Sequence, residues 1–373
     1  MKIVYIVNTR MPSQRAHGFQ IAKTCEKFAA LGNDVSLLHP YRKNDLTEDI
    51  FNYYGLKRNF KVEVIPSLDV IVLSRYIGFL AFYLQSFLFS LALIFRKFDK
   101  NSIIYTRDIF IALIFQMKNY AVAYNVHNWS KKRKLFSKLL NREMKIVCNS
   151  EGTKRKIMEE GFTRVIAVPN GVDIEDYGIM EDVLGVRKRL NLPINKKIVM
   201  YVGNLYQWKG VDVMLRAAKF MEEKDIVFVI VGGDEDDIKK YTQKTADITN
   251  VLFVGHKQKK DIPLYIKSSD VLLLPNSAIT EESRYHTSPI KMFEYMASGV
   301  PIIASNLPSI REILNEENSF LVQPDSPKTL AEEIQIVFDN LAFAKKKAEK
   351  ARIDVQKYTW DEYAKKILHF IAQ

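Results

Sequence analysis

The sequence predicts two doubly wound α/β lobes. Short apolar runs alternate with amphipathic stretches along the chain, turn-forming residues close the runs, and 373 residues at 47% hydrophobic content can build two cores. In the first lobe the apolar runs fall at residues 2–7, 34–39, 61–65, 102–106, 122–126 and 145–148, with a helical stretch at 18–31. A short run at 165–168 leads into Pro169-Asn170-Gly171, a turn signal that ends the lobe. The second lobe repeats the alternation at 197–202, 226–231, 251–254, 271–275 and 301–304. Residues 358–371 carry apolar side chains at helical spacing and read as an amphipathic helix that crosses back to the first lobe. The expected domains are 1–173 and 174–357, with the returning helix at 358–373.

Composition narrows the function. The formal charge of +12 lies in the first lobe: residues 1–175 hold 27 Lys and Arg against 15 Asp and Glu, whereas the remainder holds 28 against 28. A one-sided charge of this kind serves an anionic surface or substrate, or is a solvated basic face. Cys25 and Cys148 are too few and too isolated for a disulfide framework or a zinc site, and a reducing cytoplasm fits. The apolar run at 2–8 is too short for a signal-peptide core, so no export signal is expected. Between Asn8 and Phe19 the only glycine is Gly18, and the second strand ends in Leu38-His39 without an acid. That argues against a nicotinamide-binding fingerprint.

Residues 77–95 contain no charge and as one helix would cover about 28 Å, close to a bilayer core. Apolar strands on both sides argue against a span, since strands of one sheet cannot lie on opposite faces of a membrane. Two readings stay open, a core helix and an interfacial helix with one face in lipid.

The chemistry concentrates at the ends of strands. In the 288–301 block, Ser288 suits an N-cap, Pro289 the first helical position, and Gly299 and Pro301 stop the helix. In a parallel crossover unit the free N–H groups at 288–291 would face a crevice beyond the strand ends, where a phosphate fits. Glu294 is placed to accept hydrogen bonds from neighbouring sugar hydroxyls. In residues 201–210, Gly203 allows close backbone approach and Lys209 brings a cation to a diphosphate. His127 follows a first-lobe strand and is either a loop histidine or a donor to a sugar hydroxyl. The basic run 131–134 after it suits anionic headgroups or simple solvation. Gly255 and His256 end another strand, where a planar base could approach. Gly232 and Gly233 read as a strand-ending turn, since the lysine and hydroxyl of a nucleoside-triphosphate cradle are missing.

Together these pieces resemble retaining glycosyltransferases of the GT-B fold, family four, along nearly the whole chain. The resemblance rests on residues 169–173 (Pro-Asn-Gly-Val-Asp), 202–210 (Val-Gly-Asn-Leu through Trp-Lys-Gly), 253–255 (Phe-Val-Gly), 269–275 (Ser-Asp-Val-Leu-Leu-Leu-Pro) and the 288–301 block. It implies two Rossmann-like domains facing each other across a cleft, with a UDP- or GDP-linked sugar on the second and a glycan or lipid-linked acceptor on the first. Glu294 would hold the ribose, Lys209 the diphosphate, and amides near Ser288, Pro289 and Ile290 the phosphates. Gly18 would lie in the first-lobe loop over them and His127 would meet the transferred sugar. Gly203, Asn204, Gly255, His256 and His286 would complete the donor site.

The resemblance further implies transfer with retention, no obligatory metal, no cofactor beyond the donor and no nucleic-acid partner. The expected setting is surface polysaccharide or glycoconjugate synthesis in the cytoplasm, peripheral to the inner face of an anionic membrane contacted by the N-terminal domain. Two positions depart from the pattern. His286 stands where the family usually has an acid, and Asn204 where it usually has an arginine, for which Arg284 or Lys291 is expected to compensate. A nucleotide-sugar epimerase of the same architecture and a catalytically silent, membrane-associated binding subunit are the alternatives.

Overall fold

A computed structural model of the chain describes every residue except 45, 79, 128 and 130–133, and the side chains of all but these and 134 and 135. The basic run 131–134 therefore lies outside the described residues. The chain divides into two units, Met1–Pro169 with Trp360–Gln373, and Asn170–Thr359. The division falls a few residues before the boundary expected from the 169–171 turn.

The first unit is built on seven parallel strands: β1 (Lys2–Ile6), β2 (Asp34–Pro40), β3 (Lys61–Ile65), β4 (Ser102–Thr106), β5 (Ala121–Val126), β6 (Lys145–Cys148) and β7 (Val165–Ala167). Their order is β3-β2-β1-β4-β5-β6-β7. Central strands read as unbroken apolar runs because helices cover both faces of a parallel sheet. The helix Trp360–Ala372 belongs to this unit and packs on the helix Ala16–Ala30. Trp360 meets Phe19 edge-on, and Lys27 pairs with Asp361 at 2.9 Å.

The second unit holds six parallel strands: β8 (Lys197–Val202), β9 (Ile226–Val231), β10 (Val251–Gly255), β11 (Val271–Leu274), β12 (Ile302–Ser305) and β13 (Phe320–Val322). The order is β10-β9-β8-β11-β12-β13. β13 is absent from the sequence reading because three residues are too short a run to stand out. The chain winds outward from β8 through β9 and β10, then returns to β11 on the other side of β8. That reversal opens a crevice beyond the carboxyl ends of β8 and β11.

Three expectations need correction. Gly18 does not lie in a loop. It sits in the first turn of the helix Ala16–Ala30, its amide donating to the Arg15 carbonyl at 2.9 Å. A side chain there would meet the Tyr54 hydroxyl at 2.2 Å, and that hydroxyl is fixed by accepting from Ser13 N–H and donating to Ser13 O. Gly18 thus makes room for Tyr54, and Gly18→Ala should cost about 1–2 kcal/mol in urea unfolding through overpacking while leaving nucleotide affinity unchanged. Weaker nucleotide binding at full stability would restore the phosphate-loop role.

Second, residues 77–95 do not form one helix. Gly78, at φ 56°, separates Ser74–Ile77 from Leu80–Ile94. No helix among the described residues is long and apolar enough to cross a membrane. Third, the N-cap of Ile290–Ser298 is Pro289 rather than Ser288, which makes Ile290 the first helical residue. Ser288 is occupied elsewhere, its hydroxyl accepting from Asn170 N–H at 3.3 Å and its carbonyl from Asn170 Nδ2 at 2.5 Å.

Candidate functional site

The site lies in the second unit, at the switch point between β8 and β11. Pro289 carries no N–H and offers no side-chain cap, so the first turn of Ile290–Ser298 begins without one. Met292 N–H donates to the Pro289 carbonyl and closes the turn. Ile290 and Lys291 supply the backbone amides at the positive end of the helix dipole. Pro289 can supply none, so of the three residues expected around the phosphates it serves only by shaping the turn.

Lys291 gives this helix start its charge. The residue is 8% exposed, and its ammonium has no hydrogen-bond partner among the described residues. It sits 3.5 Å from the centroid of the Tyr201 ring, whose hydroxyl donates to the Asn204 carbonyl at 2.7 Å. Gly203 follows at φ 140°, and a Cβ on it would stand 3.3 Å from the Lys291 ammonium. Burial, followed by the charge of Lys209, holds Lys291 well below the ordinary lysine range.

Lys209 closes the short turn Gln207–Lys209, its ammonium 3.8 Å from the centroid of the Trp208 ring. Burial pushes it down to about 7, opposed by the carboxylate of Glu282. The turn is locked against the end of β11. Ser277 N–H donates to the Trp208 carbonyl at 2.9 Å, and a Cβ on Gly210 would fall 1.7 Å from the Pro275 carbonyl oxygen. Asn276, next along, is fully buried, and neither of its amide atoms has a hydrogen-bond partner among the described residues. A buried ammonium that the charge of Lys209 depresses further, at a helix start without a cap, forms an arrangement that an anion would stabilise.

Glu294 lies one turn further along the helix, 5% exposed, in an ion pair with Lys259. Lys259 opens the short turn after β10, so this carboxylate is tied to the segment that follows Gly255 and His256. Gly255 has φ 81°, which requires glycine, and His256 is exposed. His286 is buried, with Nε2 3.8 Å from Glu281 Oε1. Arg284 is exposed and stacks on Tyr285.

The structure therefore joins Gly203, Asn204, Lys209, Ile290 and Glu294 around one strand-end crevice, and of the two candidate replacements for the missing arginine it buries Lys291. Glu282, Lys259 and Asn276 were not singled out from the sequence. Only Asn276 carried a signal, its place directly after an apolar strand. In the first unit, His127 follows β5 with Nε2 2.8 Å from Asn125 Oδ1.

The comparisons fit this geometry. Residues 185–354 match the family described as glycosyl transferases group 1. An uncharacterized glycosyltransferase of Methanocaldococcus jannaschii is 26% identical over 214 residues, covering 55% of this chain and 53% of its own. The Escherichia coli UDP-Gal:alpha-D-GlcNAc-diphosphoundecaprenol alpha-1,3-galactosyltransferase is 28% identical over 197 residues, 48% of this chain and 47% of its own. The chain thus matches about half the length of these curated relatives. Among solved structures, Anabaena HepE in complex with UDP superposes with a TM-score of 0.74 at 18% identity, over 100% of both chains. The sucrose-phosphate synthase of Thermosynechococcus elongatus gives 0.76 at 18%, over 100% of this chain and 99% of its own. The protein has the GT-B fold, two Rossmann-like units each on a parallel sheet. The stretch that is similar to the group 1 glycosyl transferases falls within its second unit.

Proposed function

We propose that this protein is a glycosyltransferase that moves a hexose-type sugar, with retention, from a UDP- or GDP-linked donor to a glycan or lipid-linked acceptor. The observation that carries the reading is the buried Lys291 beside Lys209 at an uncapped helix start, with Glu294 one turn away. This spacing suits a nucleoside diphosphate, the lysines on the phosphates and the carboxylate on the ribose. The curated relatives support the surface-glycan setting, among them the E. coli enzyme above and a putative teichuronic acid biosynthesis glycosyltransferase of Bacillus subtilis.

In the proposed reaction the bond from the sugar's anomeric carbon to the diphosphate oxygen breaks first, giving an oxocarbenium-like state. Lys209, Lys291 and the helix amides stabilise the departing charge, a role that calls for no metal. The acceptor hydroxyl attacks from the same face and gives its proton to the leaving phosphate oxygen. His127 is the proposed contact to the transferred sugar. The acceptor is proposed to lie at the cytoplasmic face of a membrane.

Incubation with a panel of nucleotide sugars, with and without membrane lipid extract, tests the reading. Acceptor-dependent nucleotide release with a glycosylated product is expected. Interconversion of donors without acceptor would instead identify an epimerase, and nucleotide binding without turnover a binding subunit.

A pH dependence follows from Lys209. The diphosphate needs its charged form, yet in the free protein that proton is lost near pH 7. Donor binding above that pH must therefore take up a proton, and affinity for UDP should fall by up to about tenfold per unit as pH rises from about 7 to 9. Titration calorimetry in buffers of different ionisation heat should show proton uptake in that window. Flat affinity without proton uptake would remove Lys209 from the phosphates.

A further inference from the structure

We propose that the outer face of the helix Leu80–Ile94 is a docking surface for an anionic phospholipid membrane. Unlike a helix that faces water, it is apolar on its outer side as well as its inner one. Gln85, Ser86 and Ser90 are buried on the inner side together with Ala81, Phe89 and Leu93, while Leu80, Leu84, Phe87, Leu91 and Ile94 share the opposite side and are all exposed. Two of the inner polar groups have structural uses. Gln85 accepts from Val70 N–H at 2.8 Å, and the Ser86 hydroxyl donates to Asp108. Water offers no reason for the outer set. Phe95, 91% exposed, prolongs the stripe beyond the helix end.

The charge around the stripe selects the occupant. Residues 70–98 contain no Asp or Glu, and Arg75 stands before the stripe with Arg96 and Lys97 after it. Arg96 pairs with Glu63, while Arg75 and Lys97 are exposed. Apolar side chains between two basic ends match acyl chains beneath anionic headgroups. A second copy of the chain fits poorly, because both ends are basic and pairing in either orientation sets cation against cation.

The depth of insertion is limited. Fifteen helical residues cover about 22 Å, short of the roughly 30 Å hydrocarbon core, and the inner face packs on the helix Ile109–Met117. The helix therefore lies in the interface plane and does not cross. This inference deepens the proposed function, resting on it for the acceptor's place at a membrane. Its test needs no turnover.

The test is flotation with vesicles of phosphatidylcholine containing phosphatidylglycerol, against phosphatidylcholine alone. The protein should float with the anionic vesicles, and the Leu84→Ser, Phe87→Ser, Leu91→Ser triple variant should lose about tenfold or more in partitioning while binding UDP as the parent does. An Arg75→Gln, Lys97→Gln variant should lose the preference for anionic vesicles. A Phe87→Trp variant should be quenched by lipids brominated in the upper acyl chain. Protein that stays at the bottom with anionic vesicles at low salt, whether monomeric or dimerised through this face, overturns the inference even if it transfers sugar. Vesicle binding without nucleotide affinity would instead leave the surface and overturn the function.

Discussion

Lys291→Met should raise the stability of the donor-free protein and nearly abolish donor binding. In the free protein the Lys291 ammonium is buried without a hydrogen-bond acceptor among the described residues and feels the charge of Lys209. An unsatisfied buried donor costs about 1–3 kcal/mol, more when charged, so methionine should gain about 2 kcal/mol, a rise of roughly 4–8 °C in Tm for a unit of this size. The sign agrees with linkage. A lysine whose folded pKa lies below its unfolded value destabilises the fold at neutral pH, and that cost fades only as pH rises toward the unfolded value.

The diphosphate should reverse the balance. A charge-assisted bond to phosphate contributes about 1.5–3 kcal/mol, so affinity for UDP or GDP should fall by about a hundredfold while the bare nucleoside is barely affected. Arg284→Ala should change neither property, since that side chain is exposed on Tyr285. Thermal unfolding and calorimetry of the two variants check this. Full donor affinity in Lys291→Met would return the leaving-group role to Arg284 or leave Lys209 alone with it.

Glu294→Gln should weaken nucleoside, monophosphate and diphosphate alike, by about 10- to 50-fold, because a carboxylate accepting from two ribose hydroxyls loses its charge and one acceptor. That common loss separates it from Lys291→Met, which discriminates by phosphate. The pair with Lys259 sets a second comparison. If Lys259 neutralises Glu294 in the free state and yields to the ribose, Lys259→Ala should tighten nucleoside binding in the same titrations. Unchanged nucleoside affinity in Glu294→Gln would take the carboxylate off the ribose.

Much of this architecture was legible in the sequence. The parallel sheets follow from apolar runs closed by Gly, Pro and Asn, because a strand covered on both faces has no polar alternation to hide it. β13 escaped because three residues carry too little pattern. The Glu294 helix was visible from its Gly299 stop, yet its start was misplaced by one residue, since both Ser288 and Pro289 suit a helix start and only the bond from Asn170 decides between them. Gly18 was legible as a glycine and illegible as to its reason, which lies with Tyr54, 36 residues away in sequence.

By itself, then, the sequence determined the two α/β units, the glycines at the strand ends, and the lysine and carboxylate that a nucleoside diphosphate would need. Those are properties of local composition and spacing. The tertiary structure alone decided that Lys291 is buried while Arg284 is exposed, that Gly18 lies against Tyr54, and that Leu80–Ile94 turns an apolar side outward. Each depends on which way a side chain points once distant segments pack, and helical spacing without its neighbours does not say which face meets the sheet and which meets the solvent.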